Sequence, residues 1–151
     1  MRRRSGFTLI ELLTSMTIIA ILAGIVVPKI GSFITRARAT AALAAVDAIY
    51  GSAVNFQAEN DTFPSTAAMG QVPPGLKDLG ASVFVTADYQ LQYLNWPFYQ
   101  YINGQAVESN IIAVTLQTKD AQLGQIAMSL GKWPHFQWGN NYTFILDWPF
   151  D

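Results

Sequence analysis

A long apolar segment near the N-terminus constrains this chain more than any other feature. Leu12–Pro28 is 17 residues without a charge, and Phe7–Pro28 is 22 residues with a single charge, Glu11. As a helix, 22 residues rise about 33 Å, which matches the thickness of a hydrocarbon core. A secretory signal peptide would have a shorter apolar stretch and a small-x-small cleavage site, which Ala20–Gly24 does not supply. A buried core helix of this density would be unusual in 151 residues, so the segment predicts a membrane helix.

Composition supports a chain of which part does not face water. Charged residues make up 13% and hydrophobic residues 51%, whereas about one quarter of a soluble domain is charged. The net charge is −1, and the only basic residues beyond position 40 are three lysines, so no nucleic acid partner is expected. Cysteine is absent, which excludes a disulfide framework, a thiolate metal site and a cysteine nucleophile.

The charges around the segment leave two questions open. Arg2–Arg4 precede it, but Lys29, Arg36 and Arg38 follow it closely. The positive-inside rule therefore hardly distinguishes the two orientations of the segment in a membrane. Glu11 would cost roughly 2.5–3.5 kcal/mol at the bilayer centre. It either lies near the interface and reaches headgroup water, or has a functional role with a partner.

The residues Gly6-Phe7-Thr8-Leu9-Ile10-Glu11-Leu12-Leu13, after a short basic leader, resemble the processing motif of type IV prepilins and type II secretion pseudopilins. The resemblance implies cleavage between Gly6 and Phe7 by a prepilin peptidase on the cytoplasmic face, and N-methylation of the new Phe7 amine by the same enzyme. It thereby implies a cytoplasmic N-terminus. Residues 1–6 would be a leader, residues 7–28 a transmembrane and assembly helix, and residues 29–151 a periplasmic or extracellular pilin-like head.

The resemblance also implies roles for Glu11 and Pro28 in assembly. Glu11 of one subunit would neutralise the Phe7 amine of a neighbour, which satisfies two charges in an apolar surround. Pro28 matches the family's proline at the membrane exit, where it removes a backbone donor and can loosen the helix.

The function implied is a structural subunit of a type IV pilus or related filament, and not an enzyme. Its partners would be the inner membrane, copies of itself and other pilin-like subunits. Two alternatives stay open: a type II secretion pseudopilin, and a minor tip subunit whose head is an adhesive binding module.

Beyond Pro28 the pattern predicts that the helix continues to about Glu59, giving a length of about 80 Å. Its apolar stripe has spacings of 4, 3, 4 and 3 and is expected to pack on a sheet; it comprises Ala42, Val46, Ile49, Ala53 and Phe56. Asn60, Asp61 and Pro64 end the helix.

The remaining chain predicts antiparallel strands, and hence an α+β fold with one long helix. Leu76–Gly80 is expected to be a short helix. Tyr99–Val107 contains the hairpin turn Asn103-Gly104, and Ile111–Leu116 and Gln125–Leu130 are further predicted strands. His135–Trp138 and Tyr142–Leu146 flank Gly139-Asn140-Asn141 as a terminal hairpin.

The head suggests no catalytic, cofactor or metal site. His135 is the only histidine and lies among aromatic residues, the carboxylates are scattered, and no calcium-loop spacing is present. Glu59-Asn60-Asp61 is read as a solvated helix end rather than a cation site. Aromatic residues are abundant in the last third of the chain and favour a core plus a subunit interface over an adhesive surface; they include Trp96, Phe98, Tyr99, Trp133, Phe136, Trp138, Trp148 and Phe150.

Overall fold

A computed structural model describes residues 7–147 and has one long helix followed by a four-stranded sheet. Helix α1 spans Leu9–Asn60, α2 spans Ala81–Phe84 and α3 spans Ala121–Leu130. The strands are β1 (Gln90–Ile102), β2 (Gln105–Gln117), β3 (His135–Trp138) and β4 (Asn141–Asp147). All neighbouring strands are antiparallel, in the order β1-β2-β4-β3. The predicted α+β fold is confirmed.

The chain divides into two compact units, one ending at Thr35 and the other beginning at Arg36. In the second unit, α1 contributes a buried stripe with spacings of three and four, as a helix packed along one side requires. Four of the predicted stripe residues are fully buried, Phe56 is half-buried, and Ala39 extends the stripe by one turn.

The core lies between this stripe and one face of the sheet. The sheet residues of the core alternate along each strand and pair across strands, as in Tyr93 opposite Val114 and Val114 opposite Phe144. Leu123 and Ala127 of α3 complete the same cluster. Gly124 is required there because an added Cβ would overlap the Tyr142 ring.

The two hairpins are confirmed, and the first is longer than predicted. β1 and β2 are 13 residues each and turn at Asn103 and Gly104, whose φ angles are 53° and 81°. Two consecutive positive φ angles are the backbone of a type I′ turn. β4 pairs with β2 only from Ile112 to Gln117.

Two predicted elements are wrong. Leu76–Gly80 forms turns rather than a helix, and the short helix α2 follows at Ala81. Gln125–Leu130 belongs to α3 rather than to a strand, because Asp120 caps a helix there: its carboxylate accepts from the backbone N–H groups of Gln122 and Leu123.

Candidate functional site

The apolar N-terminal part of α1 is exposed along all sides. Every large apolar side chain described from Phe7 to Ile34 has between 46% and 78% of its surface exposed. Within α1, Leu9–Val27 and Lys29–Asn60 are each long and apolar enough to cross a membrane, by length and composition alone. Leu9–Val27 has the higher mean hydropathy, 2.3 against 1.2, whereas part of Lys29–Asn60 is buried in the core. An apolar surface of this extent needs a cover of lipid or protein.

Thr8 and Glu11 form a capping box at the start of this helix. Glu11 Oε2 accepts hydrogen bonds from the Thr8 backbone N–H at 3.0 Å and from the Thr8 hydroxyl at 2.8 Å. The Thr8 hydroxyl oxygen in turn accepts from the Glu11 backbone N–H at 3.3 Å. This is the reciprocal arrangement by which a Thr-x-x-Glu sequence satisfies free donors at a helix N-terminus, and it places the carboxylate at the positive end of the helix dipole.

The capping box changes the interpretation of Glu11. The family role gave this carboxylate a partner in a neighbouring subunit, yet Thr8 already provides one within the chain. Sequence reasoning missed this bond, although the signal, Thr8 three residues before Glu11 at the start of an apolar run, was present. The second carboxylate oxygen, Oε1, accepts no hydrogen bond from residues 7–147, so it is available to an additional donor.

Hydroxyl groups in the apolar segment bond to their own helix. Thr14, Ser15 and Thr17 each donate at 2.8 Å to the backbone carbonyl four residues earlier. Each hydroxyl donor is therefore satisfied within its own helix, as an apolar environment requires.

Of the predicted site residues that the structure describes, Phe7 directly precedes α1, Glu11 lies in its first turn, and Pro28 lies further along the same helix. Gly6 lies outside the described residues, as do Trp148 and Phe150. Phe7 is 77% exposed and directly precedes the capping box, so it lies near Glu11 along the chain. The backbone of Pro28 belongs to α1, which is continuous from Leu9 to Asn60.

The described part of the head has clefts that are lined in part by polar side chains. Among residues 7–147, no group of three or more His, Asp or Glu side chains could hold a metal ion. His135 is exposed, its Nδ1 lies 3.0 Å from the Trp133 carbonyl oxygen, and its ring packs edge-on against Phe144. One cleft of about 480 Å³ is lined by Asp88, Tyr89 and Lys119 among others, and burial together with the nearby Asp88 charge raises the pKa of Tyr89.

Comparison with known proteins identifies the N-terminal motif. A family model described as the prokaryotic N-terminal methylation motif matches residues 1–27. Type II secretion system core protein G of Pseudomonas aeruginosa is 38% identical over 65 residues, which are 43% of this chain and 46% of that protein. The match thus spans about half the length of the curated relative. No solved structure matches the chain. The predicted prepilin-type motif is confirmed.

Proposed function

We propose that this chain is a structural subunit of a type IV pilus or a related filament, polymerised through its apolar N-terminal helix. The observation that carries the proposal is the apolar surface from Phe7 to Ile34, where the described large apolar side chains are 46% to 78% exposed, and which overlaps the match to the prokaryotic N-terminal methylation motif at residues 1–27. Membrane lipid covers such a surface before assembly, and the helices of other subunits cover it afterwards.

Processing prepares the chain for this change of environment. A prepilin peptidase cuts between Gly6 and Phe7 on the cytoplasmic side and methylates the new amine. Removal of residues 1–6 takes away Arg2–Arg4 and leaves 145 residues, 151 less the leader of six. The head then lies on the periplasmic side of the inner membrane until the subunit joins a filament.

Glu11 has two successive tasks in this proposal. In the single subunit its Oε2 atom caps α1 through Thr8, which lowers the cost of carrying a carboxylate into the membrane because the charge is hydrogen-bonded. In the filament its Oε1 atom receives the Phe7 amine of a neighbouring copy. Because the charges meet at one axial offset only, the pair selects the register between subunits.

Pro28 acts where the apolar segment ends. Proline lacks a backbone N–H, so the carbonyl one turn earlier has no intrahelical donor. This weak point lets α1 adjust when it leaves lipid and packs against other helices.

A type II secretion pseudopilin is the second candidate. It is favoured by the similarity to type II secretion system core protein G. In that case the filament stays in the periplasm, and its task is secretion rather than surface attachment.

The test separates the charge of Glu11 from its capping role. Glutamine at the third helical position also completes a capping box, so Glu11→Gln keeps the cap and loses the charge. Thr8→Ala keeps the charge and loses most of the cap. Each variant is produced in the host that processes the wild-type chain, and the sheared-filament and membrane fractions are immunoblotted.

We expect Glu11→Gln to insert into the membrane normally and to fall at least tenfold in the filament fraction. Thr8→Ala should lower incorporation only modestly, because capping side chains contribute about 1 kcal/mol. If Glu11→Gln enters filaments as well as the wild-type chain does, Glu11 has no charge-pair role in assembly. If the wild-type chain is absent from sheared surface filaments but present in a periplasmic filament, the pseudopilin function is supported and the surface pilus is excluded.

A further inference from the structure

Strand β1 forms one edge of the sheet, and the first part of that edge is covered by a loop. The strand order places β2 on one side of β1. On the other side, the backbone N–H of Gly70 donates to the carbonyl oxygen of Leu91. Further along, the Thr66 hydroxyl group donates to the Asn95 carbonyl oxygen at 3.0 Å and accepts from the Asn95 backbone N–H at 2.9 Å. The covered part of the edge ends at Asn95.

The edge continues beyond Asn95 without a backbone partner in residues 7–147. In an antiparallel strand, alternate residues point their N–H and C=O groups to opposite sides. Because the register between β1 and β2 is unbroken, Tyr99 and Tyr101 direct these groups the same way as Asn95, away from β2. Pro97 fits this alternation, since proline has no N–H to donate to β2. Two donors and two acceptors of the main chain therefore line this edge.

This stretch of the edge lacks the features by which proteins usually prevent further strand pairing. Such features are charged side chains, prolines and bulges. Phe98–Ile102 contains no charged residue and no proline, and its pairing with β2 has no bulge. Tyr99 and Tyr101 are 67% and 79% exposed, so both residues face solvent. An extended peptide can therefore pair with this stretch as an additional strand.

An acidic cleft of about 420 Å³ adjoins the same edge. Pro97 of the edge lines it together with the carboxylate residues Asp61 and Glu108, and none of its described lining residues is basic. Neither carboxylate has an ion-pair partner in residues 7–147. The side-chain oxygen of Asn95, another lining residue, is buried and has no hydrogen-bond partner in that range. The charge of the cleft is complementary to a cationic side chain.

We propose that this edge of β1 binds an extended basic segment of another protein by strand addition. Main-chain hydrogen bonds to Tyr99 and Tyr101 hold the segment. A lysine or arginine opposite Pro97 has its side chain on the face that Pro97 shares with Glu108, which is where the cleft lies. A second copy of this chain pairing through the same edge is less well matched, because Gln90–Ile102 contains no lysine or arginine. Both the edge and the cleft belong to the head, so this inference does not depend on the proposed filament function.

The experiment measures the binding of labelled peptides to the full chain in detergent micelles by fluorescence anisotropy. The probes have the sequence Thr-Val-Thr-X-Thr-Val-Thr with blocked termini, where X is lysine or arginine. Threonine and valine favour strands, and the blocked termini leave X as the only charge. Two matched peptides separate the contributions. One has glutamine at X, and the other keeps the basic residue but carries N-methyl groups on all its backbone amides, which removes the donors of the added strand.

Two pairs of variants test the same contributions from the side of the protein. Tyr101→Pro removes an N–H group from the edge, which a free edge tolerates, whereas Tyr101→Ala removes only the ring. Asp61→Asn removes one charge of the cleft, and asparagine suits the positive φ angle of 55° at this position. Its matched control is Asp78→Asn, because Asp78 is exposed and lies outside this cleft.

At least one basic probe is expected to bind. Its affinity should fall about tenfold with Tyr101→Pro and about fivefold with Asp61→Asn, and it should not change with either control variant. The glutamine and N-methylated peptides should bind about tenfold more weakly, and added salt should weaken the basic probes because a charge contributes.

Three results would each overturn the proposal: no binding of either basic probe, equal binding of the glutamine or N-methylated peptide, and equal loss with both members of a variant pair. The N-methylated peptide keeps the test decisive if Tyr101→Pro disturbs the hairpin. Self-association of the wild-type chain in the same micelles, abolished by Tyr101→Pro, would overturn the proposal in favour of a second copy.

Discussion

The same helix behaves differently in its two parts, and the difference separates assembly from folding. From Phe7 to Ile34 the large apolar side chains of α1 are exposed, whereas Ala39, Val46 and Ile49 further along are completely buried. Both parts are apolar and helical, and the second packs on a sheet of its own chain. Apolar sequence therefore predicts helix in both parts, but only the structure distinguishes a surface kept for other molecules from one used internally.

The charges follow the same division. In the second part Arg38 bonds Asp88 at 3.1 Å and Lys132 bonds Asp47 at 2.8 Å, and these exposed pairs contribute about 0–1 kcal/mol each. In the first part Glu11 bonds only to Thr8 among the described residues, and one of its oxygens stays available. Two ion pairs thus lie within the second part, whereas the proposed second partner of Glu11 belongs to a neighbouring subunit.

The strongest test of this comparison is a matched pair of isoleucine truncations. Ile49→Ala should lower the free energy of unfolding of the head by about 2–5 kcal/mol, since it opens a cavity in the core. Ile19→Ala removes the same atoms from a side chain that is 64% exposed, and the head should change by less than about 0.5 kcal/mol. Denaturant titration of the full chain in micelles, followed by tryptophan fluorescence, measures both. Equal losses would mean that the two parts are not energetically distinct.

Two glycines in helices give the next contrast. Gly124→Ala should destabilise the head by about 1–3 kcal/mol, because the new Cβ would overlap the Tyr142 ring. Gly24→Ala meets no neighbouring atom within 4 Å, and alanine favours helix by about 1 kcal/mol. Thermal unfolding of the head should therefore shift down only for Gly124→Ala. A head unchanged by that variant would contradict the close contact between α3 and β4.

The smallest expected effect is visible at alkaline pH. Tyr93 is completely buried and its hydroxyl group has no hydrogen-bond partner in residues 7–147, so burial raises its pKa above the usual value. In the unfolded chain tyrosine ionises near pH 10, so below about pH 10 this group does not change the free energy of unfolding. Above that pH only the unfolded state releases the proton, and the free energy of unfolding falls by about 1.4 kcal/mol per pH unit.

Tyr93→Phe should remove that part of the pH dependence and leave stability at neutral pH equal or slightly higher, because an unsatisfied hydroxyl group is gone. Tyr101→Phe is the control, since Tyr101 is exposed. An unchanged alkaline slope in Tyr93→Phe would show that other tyrosines, such as Tyr89, account for it.

Sequence reasoning was most successful where a local pattern decides the structure. Apolar spacing located the stripe from Ala42 to Ala53, and Asn103-Gly104 located the long hairpin. It failed where a single contact decides. The Asp120 side chain caps α3, so Gln125–Leu130 is helical. Leu76–Gly80 forms turns, and the short helix α2 begins only at Ala81.

The candidate site divides in the same way. The motif at residues 1–27 could be predicted because its residues are contiguous in the sequence. Which aromatic side chains are buried could not be predicted, because Tyr93 and Phe144 come together in the core only through the register of the strands, whereas Trp138 stays exposed. An aromatic-rich composition alone does not distinguish a core from a binding surface.

We propose that cleavage after Gly6 prepares the N-terminal part of α1 for assembly. Intact-mass and N-terminal peptide mass spectrometry of the chain purified from membranes of a host that has a prepilin peptidase tests it most directly. We expect a protein that begins at Phe7 and carries one additional methyl group on its amine. A protein that still begins at Met1 or Arg2 in such cells would contradict it.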